Sequence, residues 1–96
     1  MDVIAHRPHA WFLMEDEGDL YLDINCDHGA VGFSTLLRLT PEEALEVRGG
    51  SDSAVDRLAT RFQNQAIAVF LTRNLSAPWQ QKAGSAIERW KSQHQA

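Results

Sequence analysis

The sequence predicts an α+β domain in which a three-stranded antiparallel meander packs with two to three helices. Three observations support this prediction: two short glycine-containing turns, apolar–polar alternation around them, and helix-capping signals that begin only after Leu39. The 96 residues are 44% hydrophobic and 23% charged, so residues 1–96 suit one globular domain with a modest core. Residues 66–72 are a candidate fourth strand.

Apolar–polar alternation predicts strands at residues 10–15, 20–26 and 31–39. Successive strands are joined by the two-residue turns Glu17-Gly18 and His28-Gly29, because glycine accepts the positive φ that such turns need. Short turns of this kind favour an antiparallel meander, in which neighbours along the chain are also neighbours in the sheet.

Counting outward from the two turns gives a cross-strand register. Trp11 faces Ile24 across the first turn, and Ile24 faces Phe33 across the second. The same count pairs Leu20 with Leu37, so nearly every side chain on this face is apolar. Because a slip by one residue would mix the two faces, the pattern supports the predicted pairing.

Helical signals follow the last strand. Thr40-Pro41-Glu42-Glu43 is typical of a helix start with a capping box, and Gly49-Gly50 ends that short helix. A second helix is predicted to start at Ser53 and the last one at Ser76. Residues 66–72 fit either a helical stripe or a strand, and their length and β-branched residues favour an extended segment.

The second face of the meander combines apolar, aromatic and polar side chains. They are Phe12, Met14, Tyr21, Asp23, Asn25, Ser34 and Arg38. Exposed clusters of this composition are typical of interfaces, so we interpret this open face as the binding surface for a protein partner or a second copy. The alternative is that the last helix, through Trp79 and Trp90, covers this face and makes it a second core layer.

Charge is distributed unevenly along the chain, whose net charge is −4. Residues 1–48 hold ten acidic and three basic side chains, with an acidic run at residues 15–19, whereas residues 49–96 hold three and six. An acidic half repels phosphates, so we expect a basic protein partner and no nucleic acid. No apolar run approaches the roughly 20 residues of a membrane helix, and the single Cys26 fits a reducing cytoplasm.

Two chemical alternatives accompany the binding interpretation. The first is a small hydrolase or transferase that uses the polar residues of the open face, Asp23, Asn25, Ser34 and Arg38. The second is a metal site built from His6, His9, Cys26 and His28. Since Cys26 faces the core in the predicted register, it is expected to be buried and unreactive, and no metal or cofactor is expected.

The leading functional hypothesis is therefore a small cytoplasmic protein-interaction module. An inhibitor, an antidote or immunity-type protein, and a regulatory subunit all fit this description. Its open sheet face and its acidic hairpin are expected to bind the partner, because they combine the apolar patch with the charge that such recognition uses.

Overall fold

The computed structural model describes the backbone of residues 1–28 and 31–94, and their side chains except those of residues 26–28 and 31–33. The described chain starts with four strands, β1 (Asp2–Arg7), β2 (Trp11–Asp16), β3 (Asp19–His28) and β4 (Val31–Arg38). They form one antiparallel sheet in the order β1-β2-β3-β4. Four helices follow, α1 (Pro41–Arg48), α2 (Asp52–Asn64), α3 (Ala66–Arg73) and α4 (Ala77–His94). The predicted α+β class is confirmed.

The additional strand is β1, and the extended segment predicted at residues 66–72 is wrong, because these residues form α3. Ala66 and Val69 lie one helical turn apart and are buried in the core, whereas Ile67 and Leu71 are 68% and 75% exposed. The helical pattern of burial therefore outweighs the β-propensity of the branched side chains, which is a weak preference that packing often overrides.

The predicted pairing of β2 with β3 is confirmed. Trp11 lies opposite Ile24 and Leu13 opposite Leu22. The turn between them has positive φ at both central residues, 52° at Glu17 and 86° at Gly18. This is the backbone conformation that a two-residue hairpin turn matching the twist of the strands requires.

The predicted pairing of β3 with β4 is wrong by two residues. Ile24 lies opposite Thr35, not Phe33, and Leu37 lies opposite Leu22, not Leu20. The backbone of His28 pairs with that of Val31, so His28 belongs to the strand, and the predicted turn residue Gly29 lies outside the described residues. A shift of two leaves every residue on its predicted face, so the separation into two faces survives the error.

Helices cover both faces of the sheet. Helices α1, α2 and α3 pack on one face, where the largest buried cluster includes Trp11, Leu22, Ile24, Leu58 and Val69. On the other face, α4 contributes Ala83 and Ala86 to a smaller buried cluster with Met14, Tyr21 and Leu36. None of the described helices is long and apolar enough to cross a membrane.

The observed ends of the predicted helices lie within one residue of the predicted signals. Thr40 and Glu43 form the predicted capping box, and Gly49 is the C-cap of α1. Helix α2 starts at Asp52, one residue before the predicted start at Ser53, and its N-cap is Ser51. Both serines suit the cap position, so the sequence does not separate them.

Candidate binding site

A pocket of about 410 Å³ opens between the sheet and the C-terminal half of α4. Its volume lies within the range of small-ligand sites, about 300–1,000 Å³. We call it the Asp23 pocket, after the acidic side chain that lines it. The lining residues are His6, Pro8, His9, Ala10, Trp11, Phe12, Asp23, Asn25, Ser34, Ile87 and Lys91.

Asp23 lies near the middle of β3, with Phe12 and Leu36 as its cross-strand neighbours. It is partly buried, and its carboxylate has no hydrogen-bond or ion-pair partner among the described residues. Burial raises the pKa of Asp23 to about 6, because the ionised form loses hydration. At neutral pH the pocket therefore holds a carboxylate with two unused acceptor oxygens.

Asn25 fixes the turn between β1 and β2 at the mouth of the pocket. Its side-chain Nδ2 donates to the carbonyl of His9 at 3.1 Å, and its backbone N–H donates to the carbonyl of Ala10 at 2.8 Å. Gln63 of α2 donates to the backbone carbonyl of Asn25 at 3.0 Å. With its amide N–H group engaged in this way, Asn25 retains its side-chain oxygen as an acceptor.

Aromatic rings form the wall at the β1 and α4 side. The His6 ring stacks on Phe12 with centroids 4.6 Å apart, and Trp90 lies 4.5 Å from His6 and 5.6 Å from Phe12. His94 stacks on the Trp90 ring at 4.5 Å. These contacts join β1, β2 and the last turns of α4, and they hold the His6 and Phe12 rings at the pocket that Asp23 also lines.

The basic groups near the pocket act on His6 and not on Asp23. Burial lowers the pKa of His6, and the nearby positive charges of Lys91, His9 and His94 lower it further. The His6 ring is therefore neutral at pH 7. Burial is the only cause of the raised pKa of Asp23, so Lys91 does not neutralise this carboxylate.

A polar anchor behind the pocket holds the β1–β2 hairpin on α2. Arg7 donates to both carboxylate oxygens of Asp56, at 3.2 and 2.7 Å, and the indole Nε1 of Trp11 donates to Asp56 at 2.8 Å. The hydrogen bonds from Arg7 and then Trp11 lower the pKa of Asp56. A planar guanidinium and an indole in fixed hydrogen bonds make this hairpin a positioned wall of the pocket.

The structure divides the predicted binding face into two parts. Phe12, Asp23, Asn25 and Ser34 line the Asp23 pocket together. Met14 and Tyr21 are 0% and 1% exposed beneath α4, so the alternative of a second core layer applies at that end of the sheet. Among the described side chains of this face, those that remain accessible together are the ones that line the pocket.

Arg38 is exposed at the covered end and does not line the pocket. Its guanidinium carbon lies 5.3 Å from the Tyr21 ring and 5.0 Å from the Trp79 ring, and its Nε and Nη2 donate to the Tyr21 hydroxyl at 3.2 and 3.1 Å. Tyr21 and Trp79 are themselves stacked at 5.4 Å. Arg38 thus seals the rim of the second core layer, because it satisfies the buried phenol.

The acidic hairpin is partly engaged within the molecule. Asp16 accepts from Lys82 of α4 at 2.6 Å and faces the N-terminal amine at 3.4 Å, while Glu15 pairs with Arg48 at 3.1 Å. The hydrogen bond from Lys82 holds the pKa of Asp16 below its usual range. Glu17 and Asp19 remain exposed at the hairpin tip.

The two chemical alternatives involve side chains that the structure describes only in part. The side chains of Cys26 and His28 lie outside the described residues, so the metal site and the burial of Cys26 stay predictions; among the described residues, no group of three or more His, Cys, Asp or Glu could hold a metal ion. The hydroxyl of Ser34 has no described hydrogen-bond partner that would act as its base. Nucleophilic catalysis needs such a partner within hydrogen-bond reach.

Sequence reasoning missed the pocket role of His6, His9 and Lys91. The sequence suggests the two histidines only as candidate metal ligands, and no pattern in it links α4 to β1. No protein-family model matches this chain, and comparisons with curated proteins and with solved structures found no match.

Proposed function

We propose that this protein is a small protein-interaction module that binds a basic partner protein at the Asp23 pocket. The observation that supports this proposal is the carboxylate of Asp23, which is partly buried in a pocket without a described partner. Leaving such a charge unpaired is unfavourable, so a site of this kind is expected to serve binding rather than folding.

The distribution of charge supports a basic partner. Residues 1–48 carry ten of the thirteen acidic side chains, and Glu17 and Asp19 are exposed at the tip of the hairpin. Acidic groups outside a contact steer a basic protein toward it and disfavour nucleic acid. An inhibitor, an antidote or immunity-type protein, and a regulatory subunit remain the classes that fit such a module.

A binding role fits the pocket better than hydrolase or transferase chemistry does. Asp23, Asn25 and Ser34 line the pocket together, but Arg38 lies apart from it, and Ser34 has no described base. Asp23, Asn25 and Ser34 supply acceptor oxygens to the pocket at neutral pH, and the His6 and Phe12 rings lie beside them. Such an arrangement recognises a donor group and has no activated nucleophile.

The test compares two variants that remove the same charge from the same strand. Asp23→Asn removes the pocket carboxylate with little change in shape, and Asp19→Asn removes an exposed one. Proteins captured by the immobilised wild type are identified by mass spectrometry, purified, and titrated against all three forms by calorimetry. We expect Asp23→Asn to bind at least about tenfold more weakly than the wild type and Asp19→Asn to bind nearly as well.

A purified partner that binds Asp23→Asn as tightly as the wild type would contradict the proposal. Sedimentation of the protein alone tests whether it associates with a second copy of itself. Self-association that Asp23→Asn abolishes and Asp19→Asn retains would identify the partner as another molecule of this chain.

We also propose that the module works in the cytoplasm. The support is the presence of one cysteine, Cys26, which leaves no internal disulfide. Fractionation of the source cells, followed by immunodetection, should find the protein with cytoplasmic markers, and recovery in the secreted fraction would contradict this part of the proposal.

A further inference from the structure

We infer that the group the Asp23 pocket accepts is an arginine side chain of the partner protein. This inference rests on the proposed function and names the chemistry that the pocket recognises.

The acceptors are spread over neighbouring strands. Asp23 offers two carboxylate oxygens, Asn25 retains its amide oxygen because Nδ2 is bonded to the His9 carbonyl, and Ser34 offers a hydroxyl oxygen. Asn25 and Ser34 are direct cross-strand partners, and Asp23 lies two residues from Asn25 on β3. A guanidinium has five N–H donors in a planar fork, so it can reach several such acceptors at once, whereas an ammonium acts as one compact charge.

The wall of the pocket favours a flat cation. Phe12 lines the pocket and stacks on His6, and Ile87 of α4 adds an apolar side chain across from the sheet. A guanidinium plane stacks on aromatic faces and is more weakly hydrated than an ammonium. Entry of an arginine therefore loses less hydration than entry of a lysine would.

No described cation occupies the position beforehand. Lys91 lines the pocket, but its charge acts on His6 and does not lower the pKa of Asp23. His6 and His9 are the other titratable groups at the pocket, and His6 is neutral at pH 7 because its pKa is lowered. The Asp23 carboxylate is therefore available to a cation from outside.

The inference is tested with methylguanidinium as the probe, without any partner. Its titration into isotope-labelled protein at pH 7.5 should shift the NMR signals of Phe12, Asp23 and Ser34 in a saturable way. We expect methylammonium to bind more weakly, acetate to leave these signals unchanged, and Asp23→Asn to weaken the methylguanidinium site at least about tenfold. Asp19→Asn should leave it unchanged.

A second readout follows from linkage. A bound cation favours the charged carboxylate, so saturating methylguanidinium should lower the titration midpoint of Asp23. Equal binding of methylguanidinium to wild type and Asp23→Asn would overturn the inference. Saturable shifts of the same NMR signals by acetate would also overturn it, because they would mean that the pocket binds anions at Lys91.

The outcome for the arginine is separable from the outcome for the proposed function. If a partner needs Asp23 for binding but methylguanidinium does not bind the pocket, the inferred arginine is wrong and the proposed interaction module stands. A pocket that binds methylguanidinium through Asp23, together with a partner indifferent to Asp23→Asn, would refute the proposed role of the pocket in partner binding.

Discussion

At the scale of single residues, Asp23 loses hydration in the folded protein without gaining a described partner. Its pKa is raised from 3.8 to about 6, so the folded chain keeps this proton over a range in which the unfolded chain has released it. Stability therefore falls as the pH rises from about 4 to about 6, and the penalty is complete above pH 6. The shift corresponds to at most about 3 kcal/mol.

The first prediction is that Asp23→Asn stabilises the protein at neutral pH. The neutral amide avoids the penalty of the buried charge, so the gain should reach about 1–3 kcal/mol at pH 7.5 and nearly vanish at pH 4. Thermal unfolding of wild type and variant across this range gives the difference. A variant less stable than wild type at pH 7.5 would contradict the account, and Asp19→Asn is the control.

Thr35 provides a second prediction at this scale. Its side chain is fully buried on the core face opposite Ile24, and its hydroxyl has no hydrogen-bond partner among the described residues. Replacement by valine keeps the shape and removes the unsatisfied hydroxyl, so Thr35→Val should stabilise the fold by about 1 kcal/mol. Chemical denaturation measures this difference, and Thr40→Val at the α1 cap should destabilise instead.

At the scale of elements, α4 makes a second core layer over one end of the sheet. Tyr21 lies at the centre of this layer, because its ring stacks on Trp79 of α4 and its hydroxyl accepts hydrogen bonds from Arg38. Tyr21→Ala should therefore destabilise the protein by about 3–5 kcal/mol, the range for deletion of a buried aromatic ring. Denaturant unfolding tests this, and stability near that of the wild type would mean that α4 does not cover Tyr21.

The four strands illustrate which local signals determine an element. Glu17-Gly18 fixes its hairpin because Gly18 suits a positive φ and the flanking strands alternate in phase. The predicted pairing of β3 with β4 is wrong by two residues. A slip of two keeps each side chain on its face, so the apolar–polar periodicity of the sequence cannot detect it. The local pattern of residues 66–72 fits both a helix and a strand. Burial of Ala66 and Val69 in the core, which depends on the tertiary fold, favours the helix α3.

The two edges of the sheet are protected in different ways. At β4, Asn74 accepts from the backbone N–H of Leu36 at 3.0 Å, and Leu75 donates to the Leu36 carbonyl at 2.8 Å. At β1, the register shifts between Val3 and Ala5, where a bulge interrupts the strand. Bulges and occupied edges both disfavour pairing with another sheet.

At the scale of the whole molecule, the pocket joins segments that are far apart in the chain. The meander brings Phe12, Asp23, Asn25 and Ser34 to one face, and alternation in the sequence was enough to predict that. Lys91 lines the pocket, and the Trp90 ring contacts His6 at its wall, only because α4 returns across the sheet. Such packing depends on long-range contacts, which one sequence does not reveal.

The proposed binding role of the pocket conflicts with the stability of the fold. The molecule has a radius of gyration of 12.7 Å, close to the roughly 13 Å expected for a compact chain of about 100 residues. Within this compact fold, Asp23 is a polar residue at a position where an uncharged one would be more stable. Local violations of this kind are typical of functional sites.

The measurement that tests the central claim most directly is the pKa of the Asp23 carboxyl, followed through its side-chain ¹³C signal between pH 3 and pH 8. The account predicts a midpoint of about 6, as expected for a carboxylate that is desolvated and unpaired in the pocket. A midpoint at or below the ordinary value of 3.8 would mean that Asp23 is hydrated or already paired, and would contradict both the pocket and the binding role argued from it.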